Sequence, residues 1–218
     1  MSSLPSGSEL DVSLQTWWLF AAAVFLLSGT PGPNMLHIMR KSAEVGFRAS
    51  VPAMLGCLSA LMSVLVLSAI GLAAAFAAVP AVFDVLRYAG IVYLIYLGVK
   101  AWRADVGPMH FTEGRPPSLG PWKLYRGGFL VGITNPKLII FATAFLPQFI
   151  NGAAPQTVQF VILLTTYGAI ELGWYVVYAI GGSSLARSLQ RPSWRRVFNR
   201  ISGSIFVGFG LMLFEARA

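Results

Sequence analysis

Charge is what this sequence has least of. Only 11% of its 218 residues are Asp, Glu, Lys or Arg, and mean hydropathy is +0.69. Soluble domains carry about 25% charged residues. A water-soluble globule is excluded, and the chain reads as an integral membrane protein. Cys57 is the single cysteine, which excludes an intramolecular disulfide and any CxxC redox or zinc motif. The two histidines, His37 and His110, are far apart and poor in partner ligands, so no metal site is expected. HExxH, Walker, GxSxG and carboxylate-rich cation motifs are absent. No cofactor is expected, and the chain does not read as an enzyme. The first residues lack the basic region of a secretory signal peptide, so the first apolar run is expected to be retained. The apolar runs are continuous rather than alternating, which argues against a β-barrel.

What is there is apolar sequence in six runs, roughly 14–36, 49–76, 79–101, 125–150, 157–186 and 199–216. Each suits a membrane span of about 20 residues. The net charge of +8 would suggest nucleic acid in a soluble protein. Here the basic residues sort by loop instead, and no nucleic-acid partner is expected. Arg40, Lys41 and Arg48 follow span 1. Lys100, Arg103, Arg115, Lys123 and Arg126 flank the connection between spans 3 and 4, and Arg187, Arg191, Arg195, Arg196 and Arg200 the one between spans 5 and 6. The other side holds Arg87 and Arg217. The positive-inside bias makes the first group cytoplasmic and places both termini outside, in the periplasm of a Gram-negative cell. Trp17, Trp18, Trp102, Trp122 and Trp194 fall near span ends, as interfacial anchors do.

The halves resemble each other. Arg87, Gly90, Val92, Tyr93 and Tyr96 of span 3 match the pattern of Arg200, Gly203, Ile205, Phe206 and Phe209 of span 6. Three spans are an odd number, so a second copy would be inverted. The expected fold is therefore all-α, six transmembrane helices as a 3+3 inverted repeat. Its units are residues 1–102 and 123–218. They are joined by a polar, proline-bearing cytoplasmic linker over 103–122.

Spans 1 and 4 are both interrupted, by Pro31, Gly32, Pro33 and Asn34 in one and by Asn135, Pro136 and Lys137 in the other. Proline removes a backbone donor, and lipid cannot satisfy the freed carbonyls. Matched breaks in two halves point to a transporter's substrate site. Half-helix N-termini can hold a carboxylate and C-termini an ammonium, a pairing that suits a zwitterionic amino acid. A lone kinked span would read as packing. Lys137 is a cation at bilayer depth, costing roughly 2.5–3.5 kcal/mol unless compensated. It is expected to pair with a substrate carboxylate, with Glu171 or with carbonyls freed at the break. Glu171 is the one acidic residue deep in a span. Tyr167, Glu171, Tyr175 and Tyr178 recur at helical spacing on one face. Glu171 could bind a substrate ammonium, carry the coupling proton, or be a static partner of Lys137. Gln148, Asp84 and Arg87 are weaker candidates, near the outer ends of spans 4 and 3. Gly56, Ser59 and Ser63 read as small packing residues, and Cys57 as apolar filler.

Thr30-Pro31-Gly32-Pro33-Asn34, Gly98-x-Lys100-x-Trp102-Arg103, Gly132-x-Thr134-Asn135-Pro136-Lys137 and Leu146-Pro147-Gln148-Phe149 together resemble the LysE/RhtB family of amino-acid exporters. The resemblance runs from about Trp17 to Phe214. It implies six hydrophobic segments, a bacterial inner-membrane location, and efflux of amino acids or derivatives driven by the proton gradient. The expected function is secondary active export by proton antiport and alternating access. The expected partners are an amino acid, protons and the bilayer, and small-residue faces permit a homodimer. A metal-cation exporter, and behind it a membrane-embedded enzyme or complex subunit, are the alternatives.

Overall fold

The computed structural model describes residues 12–78, 81–103, 120–151, 154–190 and 192–215. These residues form helices and short connections, with no strand among them. The helices are α1 (Leu14–Gly29), α2 (Pro33–Val45), α3 (Phe47–Ala78), α4 (Ala81–Trp102), α5 (Pro121–Ile133), α6 (Pro136–Ile140), α7 (Gln156–Gln190) and α8 (Pro192–Glu215). After α6 the chain winds through a π-helical turn (Phe141–Phe145) and a 3-10 turn (Leu146–Phe149). Most of the predicted linker, residues 104–119, lies outside the described residues; its last two, Pro121 and Trp122, begin α5.

Among the described residues, α3 and α7 are each long and apolar enough to cross a bilayer as single helices. The pair α1–α2, and α5 with the segment Pro136–Phe149 that follows it, pass the same test only when taken together, bent by 52° and 54°. The bends come where the sequence reading places breaks. Pro33 and Pro136 each occupy the first turn of a new helix, where a missing N–H is harmless. The prolines therefore start second half-helices rather than kink continuous ones. At the end of α2, Gly46 turns the chain into α3 with φ +88°, a conformation open to glycine at no steric penalty.

Helix directions follow from the contacts. Trp17 Nε1 donates to Thr166 Oγ1 (3.0 Å), Trp174 Nε1 to Phe25 O (2.9 Å) and Tyr178 Oη to Gly29 O (2.8 Å). The two sequences ascend together, so α1 and α7 are parallel. The helices α3 and α5 are parallel too, since Gly128 lies against Ala53 and Gly132 against Ala60. The helices α4 and α8 run antiparallel: Gly98 lies against Gly203, and Gly210 against Ile91 and Ile95. Gly56 does act as a packing residue, seated on the backbone of α5 at Tyr125 and Phe129. Cys57 is buried and donates weakly to Gly128 O. Ser59 and Ser63 bond to carbonyls one turn back in their own helix. Trp18, Trp102, Trp122 and Trp194 are exposed, as membrane-interface anchors would be, whereas Trp17 is tied to α7.

The apolar core has two parts. The larger gathers Phe20, Leu27, Leu65, Phe141, Phe149 and Tyr167 with their neighbours. The smaller gathers Met35, Ile38, Met54, Tyr175 and Tyr178 around α2 and α7. Tyr167 belongs to the first and Tyr175 to the second. Glu171, one helical turn from each, sits where the two meet.

Candidate functional site

The two breaks touch. Asn135 Nδ2 donates to Asn34 Oδ1 at 3.1 Å, and Asn34 Nδ2 donates to Tyr175 Oη at 3.1 Å. Both asparagines are buried, so each amide group there needs a partner. Asn135 has a second duty. Its Oδ1 accepts from Lys137 N at 3.1 Å, which caps the N-terminus of α6. The first break has no side-chain cap; Gly32 takes that position in α2. The two threonines play matched parts. Thr30 Oγ1 donates to Leu27 O and Thr134 Oγ1 to Leu130 O, each at 2.7 Å. Each satisfies a carbonyl at the end of the helix before its break.

Of the three partners foreseen for Lys137, the structure selects the carbonyls. Its Nζ donates to Leu27 O, to Thr30 O (3.2 Å) and to Thr30 Oγ1 (2.8 Å). An ammonium has three N–H donors, and all three are engaged. The end of α1 is thus wrapped by side chains from elsewhere: Trp174 on Phe25 O, Lys137 on Leu27 O and Thr30 O, Tyr178 on Gly29 O. A buried carbonyl left unpaired costs about 1–3 kcal/mol, so this sheath is what allows α1 to end inside apolar surroundings.

Glu171 is 6% exposed, and its Oε2 has no hydrogen-bond partner. The ion pairs among the described residues are Arg40–Glu44 and Lys41–Glu44, both 2.7 Å. Glu171 and Lys137 are not directly paired. They face a common cavity, lined by Gly32, Asn34, Met35, Asn135, Lys137, Leu138, Tyr167 and Glu171. Its volume of about 10 Å³ is room for roughly one water. The site therefore gathers a cation, a carboxyl and two asparagines around one cavity that is too small for an amino acid.

Of the residues singled out in the sequence, Gly32, Asn34, Asn135, Lys137, Tyr167 and Glu171 line this cavity. Tyr175 stands behind it, through Asn34. Pro31, Pro33 and Pro136 shape the backbone and do not line it. Tyr167 is held edge-on against Phe141, with centroids 4.6 Å apart. Gln148 lies in the 3-10 turn, away from the cavity lining. The side chains of Asp84 and Arg87, and all of His110, lie outside the described residues. Two residues went unread in the sequence. Ser28, fully buried and beside the Glu171 carboxyl, stands in the last turn of α1, just before the first break. Trp174, beside the Tyr175 already noted, caps Phe25 O. Position next to a break, or within the aromatic run of α7, was the signal for each.

No solved structure matches this chain. The chain is 31% identical over 206 residues to a homoserine/homoserine lactone efflux protein of Salmonella typhimurium, covering 94% of this chain and 99% of that protein. A protein of the same description from Salmonella typhi matches equally, 31% over 206 residues. An uncharacterized membrane protein of Vibrio cholerae is 31% identical over 209 residues, covering 96% of this chain and all of that one. The profile of LysE type translocators matches residues 25–216. With its two broken helices meeting at their asparagines, this chain belongs to the LysE-type translocator family, a family of membrane transporters.

Proposed function

We propose that this protein exports a small amino acid or close derivative across the bacterial inner membrane, exchanging it for protons by alternating access of two inverted three-helix halves. The observation that carries this reading is the small cavity at the meeting of the breaks, lined by both Lys137 and Glu171, whose Oε2 has no hydrogen-bond partner. A buried carboxyl oxygen lacking a donor gains from anything that brings one, and both a proton and a substrate ammonium do. Competition between the two for Glu171 would couple export to proton entry. Asn34 and Asn135 would orient the substrate, Tyr167 and Tyr175 would bound the site, and the Lys137 charge would favour a carboxylate on its side.

The helix directions support an inverted repeat. Exchanging span 1 with 4, 2 with 5 and 3 with 6 turns the parallel α1–α7 contact into the parallel α3–α5 contact. It returns the antiparallel α4–α8 pair to itself. The helices α4 and α8, of 22 and 24 residues, are long enough at about 1.5 Å per residue to serve as spans 3 and 6. The basic loops would face the cytoplasm and both termini the periplasm.

Homoserine and its lactone, named for the Salmonella relatives, share an α-amino group, and only the open form has a carboxylate. A site anchored on the amino group through Glu171 could accept both. A thermal-shift screen of purified protein against the amino acids, homoserine and its lactone, at two pH values, tests this. Amine-bearing ligands should stabilise the protein, and less so at the lower pH. No stabilisation by any amino acid or derivative would overturn the substrate class.

Asn135→Ala removes both the cap on α6 and the bond to Asn34. It should lower stability by about 1–3 kcal/mol, from one N-cap and one buried hydrogen bond, and should weaken ligand stabilisation. Asn135→Asp keeps the acceptor for Lys137 N, so it should recover part of the stability but not the bond to Asn34. Equal behaviour of the two variants would argue against the dual role.

A further inference from the structure

The end of α1 presents three oxygens to one point: Leu27 O, Thr30 O and Thr30 Oγ1. Two are main-chain carbonyls at a helix C-terminus, where the helix dipole is negative. Unwound carbonyls and half-helix C-termini of this kind hold coupling cations in transporters with broken helices. Here the point is occupied by the ammonium of Lys137, which reaches it from the second break, 107 residues further along the chain. We propose that Lys137 is a tethered monovalent cation: its ammonium fills an oxygen site that would otherwise take an alkali ion, and it leaves the protein with no need for bound sodium.

Three features fit. The oxygens are neutral donors suited to a monovalent hard cation. All three ammonium hydrogens are used on this set, so the lysine serves the site fully. The side chain also lies across Gly32, where an added Cβ would stand 3.5 Å from its Cδ and 3.9 Å from Nζ. The charge is thereby kept beside the cavity, so a substrate carboxylate would meet the field of a fixed cation rather than that of a diffusible ion. The tether also joins the halves. Lys137 belongs to α6 and its acceptors to the end of α1, so the cation links the two breaks as the Asn34–Asn135 bond does.

The consequence for coupling rests on the exporter reading above; the cation site does not. The test is a melting measurement on purified wild type and Lys137→Met, without substrate, in Na⁺, K⁺, Li⁺ or N-methylglucamine at equal ionic strength to fix screening. Wild type should melt at one temperature in all four. Lys137→Met should rise saturably with at least one alkali ion, on the order of 3–6 °C for each tenfold excess over its Kd. A variant indifferent to alkali ions, or a wild type that gains as much as the variant, overturns the proposal. If the variant is recovered folded only when alkali salt is present, the proposal is supported; if salt does not restore it, the proposal fails. Wild type in vesicles gives a separate check. A sodium gradient imposed at equal pH on both sides should leave export unchanged, and sodium-driven transport would overturn the tethered-cation role. Because the melting measurement contains no substrate, a wrong substrate class leaves its outcome intact.

Discussion

Glu171→Gln should abolish most export while leaving the protein folded. Glutamine keeps the shape of the side chain and removes its charge and its capacity to carry a proton. A charge-assisted hydrogen bond to a substrate ammonium contributes about 1.5–3 kcal/mol, so its loss should weaken substrate binding about ten- to a hundredfold. Stability should hold or rise. The carboxyl is buried, its Oε2 has no partner, and Lys137 is not directly paired with it, so no ion pair is broken. An amide NH₂ at that position can donate to the Asn34 or Tyr175 side of the site. The measurements are efflux from loaded vesicles at several external pH values, together with the melting temperature. If Glu171 carries the coupling proton, residual export should lose its response to the proton gradient. If it binds only the ammonium, the response should remain while apparent affinity falls. Normal export at every pH would eliminate both roles. A fall in melting temperature matching the fall in export would return Glu171 to a purely structural part.

That Glu171 stands out in the sequence follows from the physics of the bilayer. A single carboxyl in a long apolar run is expensive enough to need a reason, and a period of three to four residues fixes its neighbours Tyr167, Tyr175 and Tyr178. The breaks were legible on the same ground, because Pro33 and Pro136 inside apolar runs must end one helix or begin another. The bond between Asn34 and Asn135 shows that the two breaks meet. The partner of Lys137 was not legible. Sequence offers a lysine several acceptors, and which carbonyl is left free depends on how α1 ends, a matter of a few ångströms. The hydroxyl of Thr30 and the rings of Trp174 and Tyr178 complete that end, and nothing in their spacing announces it. The helix pairs were likewise hidden. Gly56 read as a packing residue, but its partner helix could be found only in three dimensions.

That partner sets the second large effect. A Cβ on Gly56 would stand 2.0 Å from Tyr125 O and 2.8 Å from Phe129 N. A Cβ on Gly128 would stand 2.1 Å from Ala53 O and 3.1 Å from Cys57 N. Every atom met is main chain, so no rotamer change relieves the contact, and α3 and α5 must move apart. Overpacking of a tight interface costs typically 1–3 kcal/mol, and Gly56→Ala and Gly128→Ala should each fall at the upper end of that range. For a chain of this length the upper end is about 6–12 °C in melting temperature. Gly71→Ala supplies the control, since its Cβ meets nothing within 4 Å and alanine favours a helix by about 0.5–1 kcal/mol; it should leave stability unchanged or raise it. Gly29→Ala should lie between, because the obstacle at 2.7 Å is the Trp174 ring, a side chain that can shift. The double variant Gly56→Ala with Gly128→Ala should cost less than the sum, since the first substitution already opens the interface the second would open. Strict additivity would mean that each glycine is accommodated by local distortion instead. The effect should also reach the site. The helix α5 ends at Ile133, two residues before Asn135, and its displacement carries Asn135 away from Asn34, so ligand stabilisation should fall even in a variant that remains folded. A Gly56→Ala protein with unaltered melting temperature and unaltered ligand response would show that the helices do not approach this closely in the membrane.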